Sequence, residues 1–346
     1  MSKIAIILFN LGGPDGPSAV QPFLFNLFND KAIIGVPQPI RWFIAKLIST
    51  RRAPIAQKIY EQLGGGSPLV PNTKKQANAL QMVLQERYVD DDVKCFMAMR
   101  YWHPMADEVA ADVKAWGADE VILLPLYPQY STTTSGSSIK DWERASKNAH
   151  LNAITKGICC YPIDFGFISA VVERLKIALV EAENNSNIRI LFSAHGLPKK
   201  IVDKGDPYKE AVERTAAAVM DRLDAPELDW RVSYQSRVGP LEWIKPYTED
   251  EIRLAGVEGM GLIVVPIAFV SEHSETLVEL DIEYRELAED AGVASYTRVG
   301  TVADDKLFIN GLADLVSGAR SRNIGLSGPE GRRICSSDCL QCPISE

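Results

Sequence analysis

The sequence predicts an α/β fold made of two related, doubly wound parallel-sheet domains that face each other across a cleft. Three observations carry that prediction. Aliphatic runs alternate with amphipathic helical segments through most of the chain, the arrangement of α/β units with right-handed crossovers. The runs are mostly unbroken, as strands buried on both faces of a parallel sheet are. Three pairs of segments also recur in the same order: LFNLGGP (8–14) with LFSAHGLP (191–198), MRYWHP (99–104) with QSRVGP (235–240), and ILLPLYPQYS (122–131) with IVVPIAFVSE (263–272). Chance similarity among aliphatic strands is the competing explanation of the pairs.

The expected strands are 4–10, 94–99, 120–126, 188–194, 231–236 and 261–268, and the clearest helices are 105–116, 166–183 and 207–223. A chain of 346 residues, 46% of them hydrophobic, suits two ordinary domains with real cores. The expected division is 1–150, 151–303, and a last helix with a Cys-rich tail over 304–346. A formal charge of −8 argues against a nucleic-acid binder and suits a protein that handles cations. The apolar start is short, is broken by Gly-Gly-Pro and lacks a cleavage site, so it does not read as a signal peptide. No window reaches the ~18 consecutive apolar residues of a spanning helix. A cytoplasmic protein is expected, at most peripheral to the inner face of a membrane. Its six cysteines are then thiols or metal ligands rather than disulfides.

Residues 20–48 are rich in Phe, Leu and Ile and are split by prolines. They read either as an apolar lip for a membrane or a pocket mouth, or as a pair of buried helices.

Ligands of doubly wound sheets bind beyond the carboxyl ends of the strands, and the unusual residues of this chain lie there. His195, in SAHGLP, sits where a strand ends; with an ordinary pKa near ~6.5 it can accept a proton at neutral pH. A satisfied structural histidine is the alternative. After the strand ending near 268, a helix from about Ser271 would carry Glu275, Glu279 and Glu283 at i, i+4, with Glu272 and His273 at its mouth. Like charges at that spacing cost a helix a few tenths of a kcal/mol per pair. A solvated charged face is the usual fate of such a helix. Its start directly after a buried strand favours instead binding a divalent cation or moving protons. If the acids face inward, a local π-bulge is expected. His103 follows MRYW at another strand end, and His150 reads as a surface residue. The hydroxyl-rich loop 127–138 could bind phosphate at the next helix N-terminus. The nucleotide-binding glycine motifs and the G-x-S-x-G elbow are missing from the sequence.

Cys335, Cys339 and Cys342 form C-x3-C-x2-C on a Gly/Ser/Pro-rich tail with little to bury. Three thiols so close read as ligands of one centre, with a fourth from Cys159, Cys160 or, less suitably, Cys95, which sits in a strand as a small hydrophobe. Four thiolates suit zinc or an iron–sulfur cluster. Free or redox-active thiols are the bland reading.

Together these residues resemble the ferrochelatases, lyases that insert ferrous iron into protoporphyrin IX to form protoheme. The resemblance spans essentially the whole chain through LFNLGGP, RRAP (51–54), LGGGSPL (63–69), MRYWHP, YPQYSTTTSGSS, SAHGLP, YQSRVGPLEW (234–243) and FVSEHSETLVELDIEY (269–284). It implies two Rossmann-like domains around a central cleft. It implies that His195 and Glu275 form the iron site, His195 binding metal or taking pyrrole protons, with His273, Glu279 and Glu283 as a ridge conducting protons or metal. Arg52 and Ser236 match positions that hold propionates. Leu11, Arg100, Tyr101, Tyr127, Ser131 and Trp243 match other porphyrin-binding positions, and 20–48 matches a lip touching a membrane. Glu272 stands where Asp is common. The tail resembles that of members with a [2Fe–2S] cluster, although their cysteines are spaced C-x2-C-x4-C and Ala170 stands at their fourth ligand. Cys160 or Cys159 must then supply it, with zinc as the second choice of metal. A chelatase for coproporphyrin and iron, or for cobalt, and a non-catalytic heme or iron–sulfur carrier are the alternatives. A homodimer is left open.

Overall fold

The computed structural model describes residues 1–182, 187–322 and 325–344, apart from the side chain of Glu330. The strands, in chain order, are β1 (Lys3–Asn10), β2 (Asp92–Met99), β3 (Glu120–Pro125), β4 (Ile154–Ile158), β5 (Ile188–His195), β6 (Asp229–Gln235), β7 (Gly261–Pro266), β8 (Tyr296–Arg298) and β9 (Gly325–Ser327). The helices are α1 (Val20–Phe28), α2 (Ile40–Glu61), α3 (Leu69–Arg87), α4 (Ala106–Trp116), α5 (Ser135–Asn148), α6 (Phe165–Glu181), the single turn α7 (Lys199–Val202), α8 (Tyr208–Leu223), α9 (Thr248–Val257), α10 (Tyr284–Asp290) and α11 (Lys306–Arg320). A π-helix, Glu275–Glu283, precedes α10.

Two compact units result. The first comprises Met1–Cys160 with Ala313–Arg332, the second Tyr161–Leu312 with Arg333–Ser345. The first holds a sheet of order β2-β1-β3-β4-β9, the second one of order β6-β5-β7-β8, and every strand pair is parallel. The duplication read from the sequence therefore has a structural counterpart. The first strand of each set is central, the second and third flank it, and the matched segments end equivalent strands.

The six expected strands form within two residues of their expected limits. In β1, β3, β5 and β7 aliphatic runs are buried on both faces, Ile4 to Leu8 and Leu262 to Val264 fully, whereas the edge strands β2 and β6 are only partly buried. In the first core Phe9 meets Trp142 edge-on at 6.2 Å. In the second, Leu191, Leu262 and Val264 pack on Ile252, Leu280 and Tyr284. Strands β4, β8 and β9 were not expected. ITKGI has no aliphatic run, and the other two are only three residues long. Because β4 pairs with β3 and β9, the first unit runs to Cys160 rather than 150, and residues 325–327 of the tail are sheet. The expected helices form at 106–116, 165–181 and 208–223; residue 183, the expected end of the second, lies outside the described residues.

Residues 20–48 fold as α1, a connecting segment and the start of α2, with Trp42 against Phe25 and Phe43. No helix among the described residues is long and apolar enough to cross a membrane.

Candidate functional site

Parallel register assembles a cluster at the carboxyl edge of the second sheet. His195 ends β5 directly opposite Gln235, the last residue of β6. Gly196 follows because a Cβ there would lie 2.9 Å from the Gln235 carbonyl oxygen and 3.2 Å from the Trp243 ring. The chain leaving β7 then turns into the π-helix. Its helical turn begins at Ser274 rather than Ser271, because the His273 amide donates to Thr276 Oγ1 and Glu272 is held in the loop by Arg298. Within the π-helix the Tyr284 amide reaches back five residues to the Glu279 carbonyl. The wider turn sets Glu275 and Glu279 against the strand ends instead of in solvent, whereas Glu283 is exposed.

The polar atoms form one connected chain. His195 Nδ1 lies 2.8 Å from Glu275 Oε2, and His273 Nε2 lies 3.8 Å from the other oxygen. Ser236 Oγ is 3.2 Å from Glu275 Oε2 and 2.5 Å from Glu279 Oε2. Gln235 Nε2 donates to Glu279 Oε2 at 3.2 Å and the Tyr284 hydroxyl to Glu279 Oε1 at 3.0 Å. With Nδ1 taken by Glu275 and 39% of its side chain exposed, His195 presents Nε2 as its open nitrogen. A carboxylate on one ring nitrogen orients the imidazole and makes the other more basic. The Trp243 ring stands edge-on to His195 at 6.3 Å.

Burial disfavours charge here, yet the neighbours decide the outcome. For His195, burial opposes the imidazolium, but the Glu275 carboxylate overcomes it and raises the pKa above its ordinary 6.5. For Glu275, burial is outweighed by His195 and then His273, which hold the carboxyl well below its ordinary range. Glu279 has no cation of its own; burial and the Glu275 charge push it up to about 7. The site thus pairs a firm carboxylate with one able to pick up a proton at neutral pH.

That difference has a stability consequence with a definite sign. Between its ordinary 4.5 and about 7, Glu279 keeps its proton in the folded protein and loses it in the unfolded one. Folded stability from this group is therefore full at low pH and lost as pH rises through about 7. Glu279→Gln is expected to remove that loss, gaining roughly 1–3 kcal/mol on wild type at about pH 8 and almost nothing at about pH 4. Urea unfolding of both proteins at the two pH values checks it.

The π-helix has a strut that sequence reasoning missed. Arg298, from β8, forks onto Asp281 at 2.8 and 2.5 Å and reaches Glu272 at 2.7 Å, while the Thr301 amide adds 2.9 Å. Gln235 was missed as well; it is fully buried and its Oε1 accepts from Ser193 Oγ at 2.7 Å.

In the first unit the strand-end residues gather round Asp30. Arg100 Nη2 and the Tyr101 hydroxyl each donate to Asp30 at 2.8 Å, and Ser137 Oγ at 2.5 Å. Burial opposes the Asp30 carboxylate, but Arg100 and these donors keep it ionised, below its ordinary pKa. Asp30 is the sole acid in the apolar stretch 20–48, a signal that could have found it. Ser131 is fully buried and bonds Thr133, Tyr127 interacts with Ser138, Leu11 packs beside Tyr101, and Arg52 lies over the Phe28 ring at 5.9 Å. LGGP and GGGSP meet here: a Cβ on Gly13 would sit 2.5 Å from the Ser67 side chain. His103 is exposed and paired with Glu108, and His150 is exposed.

The tail is tied down. Glu210 accepts from the Ser336 amide and hydroxyl and from Cys339 Sγ at 3.2 Å, and the Gln341 amide donates to the Gly205 carbonyl. A hydrogen bond from Cys335 lowers the Cys342 thiol to about 6, so it is largely thiolate at neutral pH. In the first unit Cys159 and Cys160 are buried with sulfurs 3.3 Å apart, and burial pushes the strand thiol of Cys95 up. Among the described residues no three His, Cys, Asp or Glu side chains are arranged to hold a metal ion. Within the tail, the bonded pair Cys335 and Cys342 suits thiolate ligation in its chemistry.

Comparison with known proteins gives a family. The family model described as Ferrochelatase matches residues 3–320. A ferrochelatase of Caulobacter vibrioides (strain NA1000 / CB15N) is 52% identical over 344 residues, covering 99% of this chain and 98% of the relative. One of Hyphomonas neptunium (strain ATCC 15444) is 50% identical over 348 residues, covering 99% and 95%. Among solved structures, SirB from Bacillus subtilis with Fe3+ has a TM-score of 0.53 at 12% identity, covering 92% of this chain and 96% of that one. At that identity the likeness is one of fold, and it agrees with the two parallel-sheet units.

Proposed function

The chain belongs to the ferrochelatase family, which inserts ferrous iron into porphyrin in heme synthesis, and from that premise we propose that His195 and Glu275 are the pair at which the metal enters. The observation that supports it is the 2.8 Å contact that occupies His195 Nδ1 and leaves Nε2 open. Two pyrrole N–H protons must leave as one Fe2+ enters, so the reaction needs a base and a cation-binding group side by side. His195 Nε2 takes the two pyrrole protons one at a time, the first leaving through Nδ1 and the hydrogen-bonded acids before the second arrives, and Glu275 presents the iron. Ser236, Glu279 and Tyr284 continue the hydrogen-bond chain away from Glu275, and His273 braces its other oxygen. A carboxyl near 7 at Glu279 receives and releases protons without a large penalty either way.

Arg52 is assigned to a porphyrin propionate, and Leu11, Arg100, Tyr101, Tyr127, Ser131 and Trp243 to binding the macrocycle. Ser236 matches a propionate position too, and its hydroxyl also bonds the Glu275 and Glu279 carboxylates. Ile40, Phe43 and Leu47, at i, i+3, i+7 on α2, are each more than half exposed, and beside them lie Arg41, Lys46 and Arg51. An apolar ridge flanked by cations suits peripheral contact with a membrane. The tail is assigned to a [2Fe–2S] cluster held by Cys335, Cys339 and Cys342 with Cys160 or Cys159, supported by the thiolate character of Cys342; zinc is the alternative occupant.

One preparation tests these readings. Protein purified without air is analysed for iron, acid-labile sulfide and zinc, then mixed with Fe2+ or Co2+ and either protoporphyrin IX or coproporphyrin. Catalytic appearance of the protoheme spectrum is expected. Turnover of coproporphyrin alone, or of Co2+ alone, would reassign the substrate. Bound heme without turnover would indicate a carrier.

A further inference from the structure

We propose that Ser236 is a positioning residue for iron insertion, its hydroxyl holding the Glu275 and Glu279 carboxylates together at one point. The proposal rests on the reading that those carboxylates serve metalation.

Ser236 directly follows β6 and has φ +64. That left-handed conformation is uncommon for a residue with a Cβ and is natural for glycine. Strain of this kind persists where the surroundings impose it, and such residues cluster at functional sites. Here the conformation carries Oγ to within 3.2 Å of Glu275 Oε2 and 2.5 Å of Glu279 Oε2. Two carboxylates on successive turns of one helix repel, and a shared donor at their point of approach offsets that. Gln235 supplies the second hold on Glu279 through Nε2, while its Oε1 accepts from Ser193 Oγ, itself 3.0 Å from Thr248 Oγ1. A rigid polar ladder thus runs from the core of the second sheet to the acids, and Ser236 is its only member that reaches both.

The backbone and the hydroxyl make opposite demands, which separates a structural role from a functional one. Glycine relieves the backbone and deletes the hydroxyl; threonine keeps the hydroxyl and worsens the backbone. Ser236→Gly, Ser236→Ala and Ser236→Thr are compared in the full chain by thermal unfolding, protoporphyrin fluorescence titration and anaerobic iron-insertion kinetics. Ser236→Gly is expected to melt no lower than wild type and to bind protoporphyrin normally, yet to lose roughly 10–100-fold in kcat/KM for iron. Ser236→Ala should lose as much activity and also melt lower, while Ser236→Thr should melt lower still and keep more activity than either. Wild-type iron kinetics in Ser236→Gly would overturn the proposal, as would a loss confined to porphyrin affinity. Glu275→Gln, run in parallel, separates the two levels: if it stays active, the reading of the carboxylates fails and takes this proposal with it. If it is inactive beside a normal Ser236→Gly, only the role of Ser236 fails.

Discussion

His195→Ala is expected to slow iron insertion by roughly 10²–10⁴-fold while protoporphyrin affinity changes by no more than a few-fold. The imidazole is the only group at the carboxyl edge of the second sheet with a ring nitrogen both open and made basic by a carboxylate 2.8 Å behind it, among the described residues. Alanine removes the base and leaves Glu275 without its nearest cation. The loss should therefore fall on kcat rather than on porphyrin binding, which is assigned to other residues. Anaerobic heme-formation rates and fluorescence titration of the same sample check it. Near-normal turnover would overturn the assignment.

Glu275→Gln is the second large effect, on the order of 10²-fold or more in insertion rate, and it carries a pH signature. Glutamine keeps the shape and one hydrogen bond but loses the charge that raises the His195 pKa. The imidazolium is then less favoured, so His195 should titrate at lower pH than in wild type. In wild type the acid limb of the rate profile should lie above the ordinary histidine value of 6.5, because insertion needs Nε2 unprotonated. In Glu275→Gln that limb should move to lower pH even as the plateau falls. Histidine ring signals followed by NMR across pH measure the shift directly. An unmoved His195 titration would mean that Glu275 does not set its basicity.

The parts of the fold that were legible in the sequence are those fixed by burial on both faces. β1, β3, β5 and β7 are aliphatic runs whose period leaves no other reading, and the order in which matched motifs recur anticipated the repeated strand order of the two sheets. What escaped were elements stabilised by their neighbours. β4, with its Lys and Thr, forms because β3 and β9 flank it, and β9 is too short to show a period. At the site, His195 and Glu275 could be singled out because a histidine and a row of acids just past buried strands conflict with ordinary core or surface roles. The spacing anticipated a bulged helix but misplaced its start, since the Glu272–Arg298 bond that keeps Glu272 in the loop joins residues 26 apart. Asp30, Gln235 and Arg298 act through partners far away in sequence; only Asp30, the one acid of an apolar stretch, carries a local signal.

Diffraction from crystals soaked anaerobically in Fe2+ and measured at the iron edge tests the central claim most directly. The account predicts an anomalous peak within bonding distance of the Glu275 carboxylate or His195 Nε2, lost in Glu275→Gln. Soaked iron that is well ordered outside the tail cysteines, with no peak at either of these two groups, would contradict it.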